Sequence, residues 1–192
     1  MAPFTVTPAV RQERVDVSVW SDRCVAIDEG PDAAEWLSAF LDVRCRLVRF
    51  PNDATRRVDP EYGGPNDQVG FADGFSFLLT SCASLDDLNR RLAAPLPMNR
   101  FRPNIVVNGG NAFQEDRWRR IRIDDITFAV VKPCARCVTT TVDQKTGDAS
   151  REPLRTLATF RNVPGRGVMF GQNLIHDRSG ELHVGAEVAV LE

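Results

Sequence analysis

Apolar and polar residues alternate along VDVSVW (15–20) up to Val19, the period of a half-buried strand. A Gly-Pro-Asp opening then precedes Ala34, Trp36, Leu37, Phe40 and Leu41 at helical spacing, so residues 29–41 predict an amphipathic helix. CRLVRF (45–50) returns to strand, and 51–70 is a long loop rich in Pro, Gly, Asn and Asp. Loops of that length inside a compact domain usually carry function. FADGFSFLLTS (71–81) predicts a turn and a buried strand. SLDDLNRRL (84–92) predicts a helix capped by Ser84, with an acidic first turn and a basic last turn that suit the helix dipole. FRPNIVVNG, RWRRIRI and DITFAVVKP follow as strands, the last two joined by a tight turn at Asp124-Asp125. The β-branched run in CVTTTV extends the strand pattern to a turn at Gly147. EPLRTLATFR predicts a helix with Pro153 in its first turn, and NLIHD and EVAVLE close the chain as strands.

Many strands, about three short helices and no βαβ alternation define a β-rich, barrel-like α+β domain. Neither G-x-G-x-x-G nor a Walker sequence is present, which excludes the common nucleotide-binding motifs. With 192 residues, 43% of them hydrophobic, the chain has material for a core without disulfide staples. Its net charge of −2 gives no footprint for nucleic acid. No apolar run approaches the roughly 20 residues of a membrane span, and the N-terminus lacks a signal-peptide pattern, so the expectation is a cytoplasmic protein without a membrane partner.

The candidate chemistry is concentrated in KPCARC. The chain has five cysteines, an odd number. Cys24, Cys45 and Cys82 sit alone in apolar or strand-like surroundings and are expected as small buried hydrophobes. Cys134 and Cys137 form a Cys-x-x-Cys. Zinc would want a second ligand pair, and the only histidines, His176 and His183, lie seven apart across an expected turn. A thioredoxin-type pair would want a helix start at the first cysteine, where CVTTTV reads as strand. A single functional thiolate, its pKa lowered by Arg136 and Lys132, remains beside a pair of structural thiols.

FADGFSFLLTSCASLDDLNRRL, NRFRPNIVVNGGNAFQEDRWRRIRIDDITFAVVKPCARCVTTTVDQKTG, EPLRTLATFR and FGQNL together closely resemble the MOSC domain, in collinear order from about Val15 to the C-terminus. The branch they resemble holds the mitochondrial amidoxime-reducing component and bacterial counterparts that reduce N-hydroxylated bases. The resemblance implies a molybdenum–pterin cofactor in a barrel-like MOSC domain over 15–192, with residues 1–14 an extension or a remnant of an N-terminal barrel subdomain. It implies Cys137 as the thiolate ligand of molybdenum, with Cys134 a structural neighbour, and Asp73 as an acidic catalytic residue. Arg102 and Asn104 of FRPN would contact the cofactor, as would Gly74, Phe75, Ala135, Arg136, Gln172 and Asn173. Arg56 and Arg57 are expected on a solvated loop face.

The implied activity is reduction of N–O bonds in small N-hydroxylated substrates. Electrons would come from a separate donor protein, ferredoxin-like or a flavoprotein reductase. The N-terminal subdomain of full-length members, with its Lys-Ser motif, has no counterpart in residues 1–20, so the chain is expected to be a fragment with a half-walled pocket. The alternative is a non-catalytic module that carries the pterin cofactor or sulfur.

Overall fold

The computed structural model describes residues 2–7 and 13–192. It divides into two compact units: residues up to Val58 with Gln68–Gly74, and Asp59–Asp67 with Phe75–Glu192.

The first unit is built on a hairpin. Strands β1 (Arg14–Val19) and β2 (Asp22–Asp28) pair antiparallel, with Val17 opposite Cys24, around a turn in which Trp20 takes a left-handed φ of 55°. β3 (Val48–Arg49) joins the other edge of β2 and is all that forms of the strand expected over 45–50. Helix α1 (Pro31–Leu41) starts on Pro31, whose fixed φ and missing N–H suit the first turn. Its buried residue is Ala33, while Phe40 and Leu41 of the expected apolar face are exposed.

The second unit carries β4 (Phe77–Ser81), α2 (Cys82–Asn89), β5 (Ile105–Val107), β6 (Arg120–Ile123), β7 (Ile126–Ala135), α3 (Leu154–Arg161), β8 (Asn162–Val163), β9 (Gly167–His176) and β10 (Val188–Val190). They form a seven-stranded, nearly closed barrel-shaped sheet in the order β10-β6-β7-β9-β4-β5, with β8 on β9. This is the expected β-rich α+β domain with three α-helices. Asp124-Asp125 forms the two-residue β6–β7 turn, and Asp124 at φ 51° supplies the left-handed residue such turns need. Leu79, Ile121, Phe128 and Leu174 are fully buried on one side of the sheet. Leu88, Phe101, Leu157 and Phe170 fill a second cluster, where the Phe101 and Phe170 rings stack at 4.1 Å. Gly171, at φ 84°, lets β9 press on β4: a Cβ there would lie 2.7 Å from the Leu79 carbonyl oxygen.

Four expectations change. β4 and β5 pair parallel across α2, so one βαβ crossover exists. α2 begins two residues before Ser84; its cap is Ser81, whose hydroxyl accepts the Ser84 N–H. Its first turn therefore holds no acid, and Arg90 and Arg91, beyond its last turn, pair with Asp87 instead. Pro153 stands at the N-cap of α3 rather than within its first turn. Cys24, Cys45 and Cys82 are half-buried free thiols, not core residues: they lie on the first-unit sheet, beside Ser38, and at the first position of α2, whose buried face is Ser84, Leu85 and Leu88.

Candidate cofactor and metal-ligand site

KPCARC lies where β7 leaves its ladder. Pro133 has no N–H to give, and the β7–β9 register slips between Val130 and Lys132 and again between Pro133 and Ala135. The Arg136 N–H still reaches the Val168 carbonyl at 2.7 Å. At Cys137 the chain turns into a 3₁₀ helix over Val138–Thr141, not the strand expected there. The threonines explain the change. The Thr140 hydroxyl donates to the Cys137 carbonyl at 3.0 Å and the Thr141 hydroxyl to the Val138 carbonyl at 2.7 Å, local bonds that compete with a ladder.

Cys137 is thereby the N-cap of a tight turn, with an exposed thiol. Its Sγ lies 3.3 Å from Thr139 Oγ1. Hydrogen bonds from the Thr139 hydroxyl and amide hold the thiol below its ordinary value, with a smaller contribution from the Arg136 charge. Arg136 itself faces elsewhere: its guanidinium donates to the Phe101 carbonyl at 2.6 Å and to Cys134 Sγ at 3.0 Å. The two cysteines thus have separate partners. Among the described residues, no group of three or more His, Cys, Asp and Glu side chains is placed to hold a metal.

Arg100, 6% exposed, was not singled out in the sequence, where nothing distinguishes it from its surface neighbours. It donates to the Thr140 carbonyl at 3.5 Å and to Asp143 Oδ2 at 3.3 Å, while Asp143 Oδ1 accepts the amides of Lys145 and Thr146. The segment behind Cys137 is anchored through that one buried cation.

FRPN and FGQN converge on the same sheet. Arg102 closes a 3₁₀ turn at Met98–Phe101 with φ 52°, a left-handed conformation costly for arginine, and stands exposed. Asn104 accepts the Leu78 N–H on its Oδ1 at 2.8 Å and donates its own N–H to the Leu78 carbonyl at 2.9 Å. Asn173 on β9 is half-buried, in register with Leu78 and Lys132. Gln172 is buried, and its amide donates to Asp116 Oδ1 at 2.7 Å, beside a bidentate Arg161–Asp116 pair. Ala135 is exposed at the end of β7. Phe75 packs edge-on against Tyr62 at 5.9 Å.

Asp73 and Gly74 belong to the first unit. Asp73 is exposed, and its Oδ1 accepts the Trp20 indole N–H at 3.1 Å. Arg56 is a correction: the expected solvated side chain is 7% exposed. Its guanidinium donates to Asp22 Oδ2 and to the carbonyls of Gly70, Ala72 and Asp73. A side chain with a full set of carbonyl acceptors can be buried although its sequence surroundings are polar. Arg57 is exposed as expected.

Glu115, fully buried, accepts the Ser84 hydroxyl at 2.6 Å, and its second oxygen has no partner. Burial pushes its carboxyl above the ordinary value of 4.5. The folded protein then binds this proton more tightly than the unfolded chain does. The resulting stability is fully present below the unfolded pKa and is lost as pH rises through the folded one. Glu115→Gln should therefore remove that decline, so that urea midpoints of wild type and variant diverge with rising pH above about 4.5. Parallel midpoint curves would contradict the assignment.

With this geometry in place, comparison with known proteins is direct. The MOSC domain model matches residues 66–189, and the chain belongs to that family. Among curated relatives, mitochondrial amidoxime-reducing component 1 of Mus musculus is 36% identical over 97% of this chain and 58% of its own length. The Homo sapiens protein of that name is 38% identical over 85% of this chain and 52% of its own, and the Danio rerio one 39% over 91% and 56%. The chain spans about half the length of the curated relatives it matches. Those relatives are named as mitochondrial, whereas the sequence alone pointed to the cytoplasm. No helix among the described residues is long and apolar enough to cross a membrane.

Proposed function

We propose that this chain is the molybdenum-cofactor-binding part of an oxidoreductase that reduces N–O bonds in small N-hydroxylated bases. The observation that carries the reading is Cys137: an accessible thiol with a lowered pKa, in a chain 36–39% identical to amidoxime-reducing components.

The residues present fit a molybdenum–pterin group. A lone soft thiolate on a fixed turn suits a metal that brings its remaining ligands with it. Arg102, exposed and without an ion pair among the described residues, offers a planar guanidinium to an anionic tail. Asn104, Asn173, Gly74, Phe75 and Ala135 are assigned to contacts around the group. Gln172 acts at one remove, since its amide is committed to Asp116. Arg136 positions the motif through the Phe101 carbonyl. When bound, the cofactor supplies the two-electron change that cleaves N–O. The reduction takes up two protons with its two electrons, one from solvent to the nitrogen and one to the oxygen, which leaves as water. Asp73 is assigned the second of these transfers, with its carboxylate held by the Trp20 indole. Electrons come from a separate ferredoxin-like or flavoprotein donor, and the site of action we propose is the cytoplasm.

The test is elemental molybdenum on the chain made in a cofactor-producing host, followed by reduction of benzamidoxime with a chemical reductant. Bound metal with benzamidine formed is the expected result. Metal without turnover would favour the carrier module, and a folded chain with neither would overturn both readings.

A further inference from the structure

Beside the KPCARC motif lies a cavity of about 290 Å³ within the second unit. Its walls are apolar at Pro133, Ala135, Val163 and Met169, and its charged lining residues are Lys132 and Arg166, with no acid. Lys132 Nζ sits 4.3 Å from the centre of the Tyr62 ring and 5.9 Å from that of Phe75. Neither cation makes an ion pair among the described residues. Aromatic faces hold an ammonium in place but leave its charge uncompensated, so a carboxylate arriving there gains a charge-assisted hydrogen bond. Of the residues assigned above to the cofactor, only Ala135 lines this space.

We propose that this cavity is a subsite for a small carboxylate with an apolar body, and that it selects N-hydroxylated substrates bearing an acidic group. The selection rests on the reading that substrate is reduced at Cys137; the binding site itself does not. Tyr62 and Lys132 fix the anionic end, and Pro133, Val163 and Met169 cover the apolar body. Ala135 places the cavity two residues from Cys137 along the chain.

The test is calorimetric titration of the 192-residue chain with benzoate, benzyl alcohol and benzylammonium. Benzoate should bind at least about tenfold more tightly than benzyl alcohol, the ratio expected for one added charge-assisted contact. Benzylammonium should bind most weakly. Lys132→Met should erase the preference for benzoate. Val163→Trp, which fills the cavity from its rim, should abolish binding of both ligands and remains informative if Lys132→Met fails to fold. Equal affinities for benzoate and benzyl alcohol, or benzoate binding untouched by Val163→Trp, overturns the proposal. Benzoate binding to a chain that neither holds molybdenum nor reduces benzamidoxime leaves the subsite standing and sinks the catalytic reading. Turnover without benzoate binding does the reverse.

Discussion

Replacing Cys137 by serine should remove molybdenum from the protein while leaving its fold unchanged. The side chain is exposed and its hydrogen-bond partners are the hydroxyl and amide of Thr139, both of which a serine oxygen can keep, so the substitution should move stability by no more than about 0.5 kcal/mol. The turn that follows does not depend on sulfur, because Thr140 holds the Cys137 carbonyl through both its amide and its hydroxyl. What changes is the donor. A thiol held below its ordinary pKa by the Thr139 hydrogen bonds gives up its proton to a soft metal more readily than an unperturbed one, whereas a serine hydroxyl is a far weaker acid and a hard ligand. Changing residues that only support a metal ligand costs about 10–100-fold in affinity, so loss of the ligand itself should exceed that. Cys134→Ser is the control. Its sulfur accepts from Arg136, and a serine oxygen can accept the same bond, so metal content should be retained. Molybdenum at wild-type level in Cys137→Ser, or its loss in Cys134→Ser alone, would reverse the assignment of the two thiols.

The contrast between these cysteines shows what a sequence can and cannot disclose. Periodicity located β6, β7 and their two-residue turn, because alternating burial and a left-handed aspartate are local properties. It misread VTTT, because β-branched residues favour a strand only where a neighbouring strand supplies the partner. After Cys137 the threonine hydroxyls close on the backbone behind them instead. The motif singled out Cys137 and Arg136 together, but the direction of the guanidinium, toward Cys134 and Phe101, depends on contacts 35 residues away in the chain. Arg100 and Arg56 were opaque for the same reason. Burial of an arginine is decided by the carbonyls that converge on it, and those come from other segments.

Arg56 makes that point measurable, and its loss should be the most damaging change to the first unit. Its guanidinium donates to Asp22 Oδ2 at 2.8 Å and to the carbonyls of Gly70, Ala72 and Asp73 at 2.8, 2.6 and 3.0 Å. Arg56→Leu keeps apolar volume but leaves three carbonyls and a carboxylate without their donor. Asp22 is half exposed and recovers part of its loss through water, so the net penalty should be on the order of 3 kcal/mol. That is a large share of the roughly 5–15 kcal/mol by which folded domains are stable. Arg56→Lys separates charge from geometry. An ammonium preserves the attraction to Asp22, yet it cannot span three carbonyls with a rigid fork. It should therefore recover less than half of the loss in urea denaturation. The same bonds fix the backbone of Asp73, whose carboxylate is held by the Trp20 indole. On the proposed role of Asp73, both variants should also lower kcat for benzamidoxime reduction where the chain is still fully folded, with molybdenum content unchanged. Wild-type stability in Arg56→Lys would show that charge alone is what this position requires, and the fork would then have no role in placing Asp73.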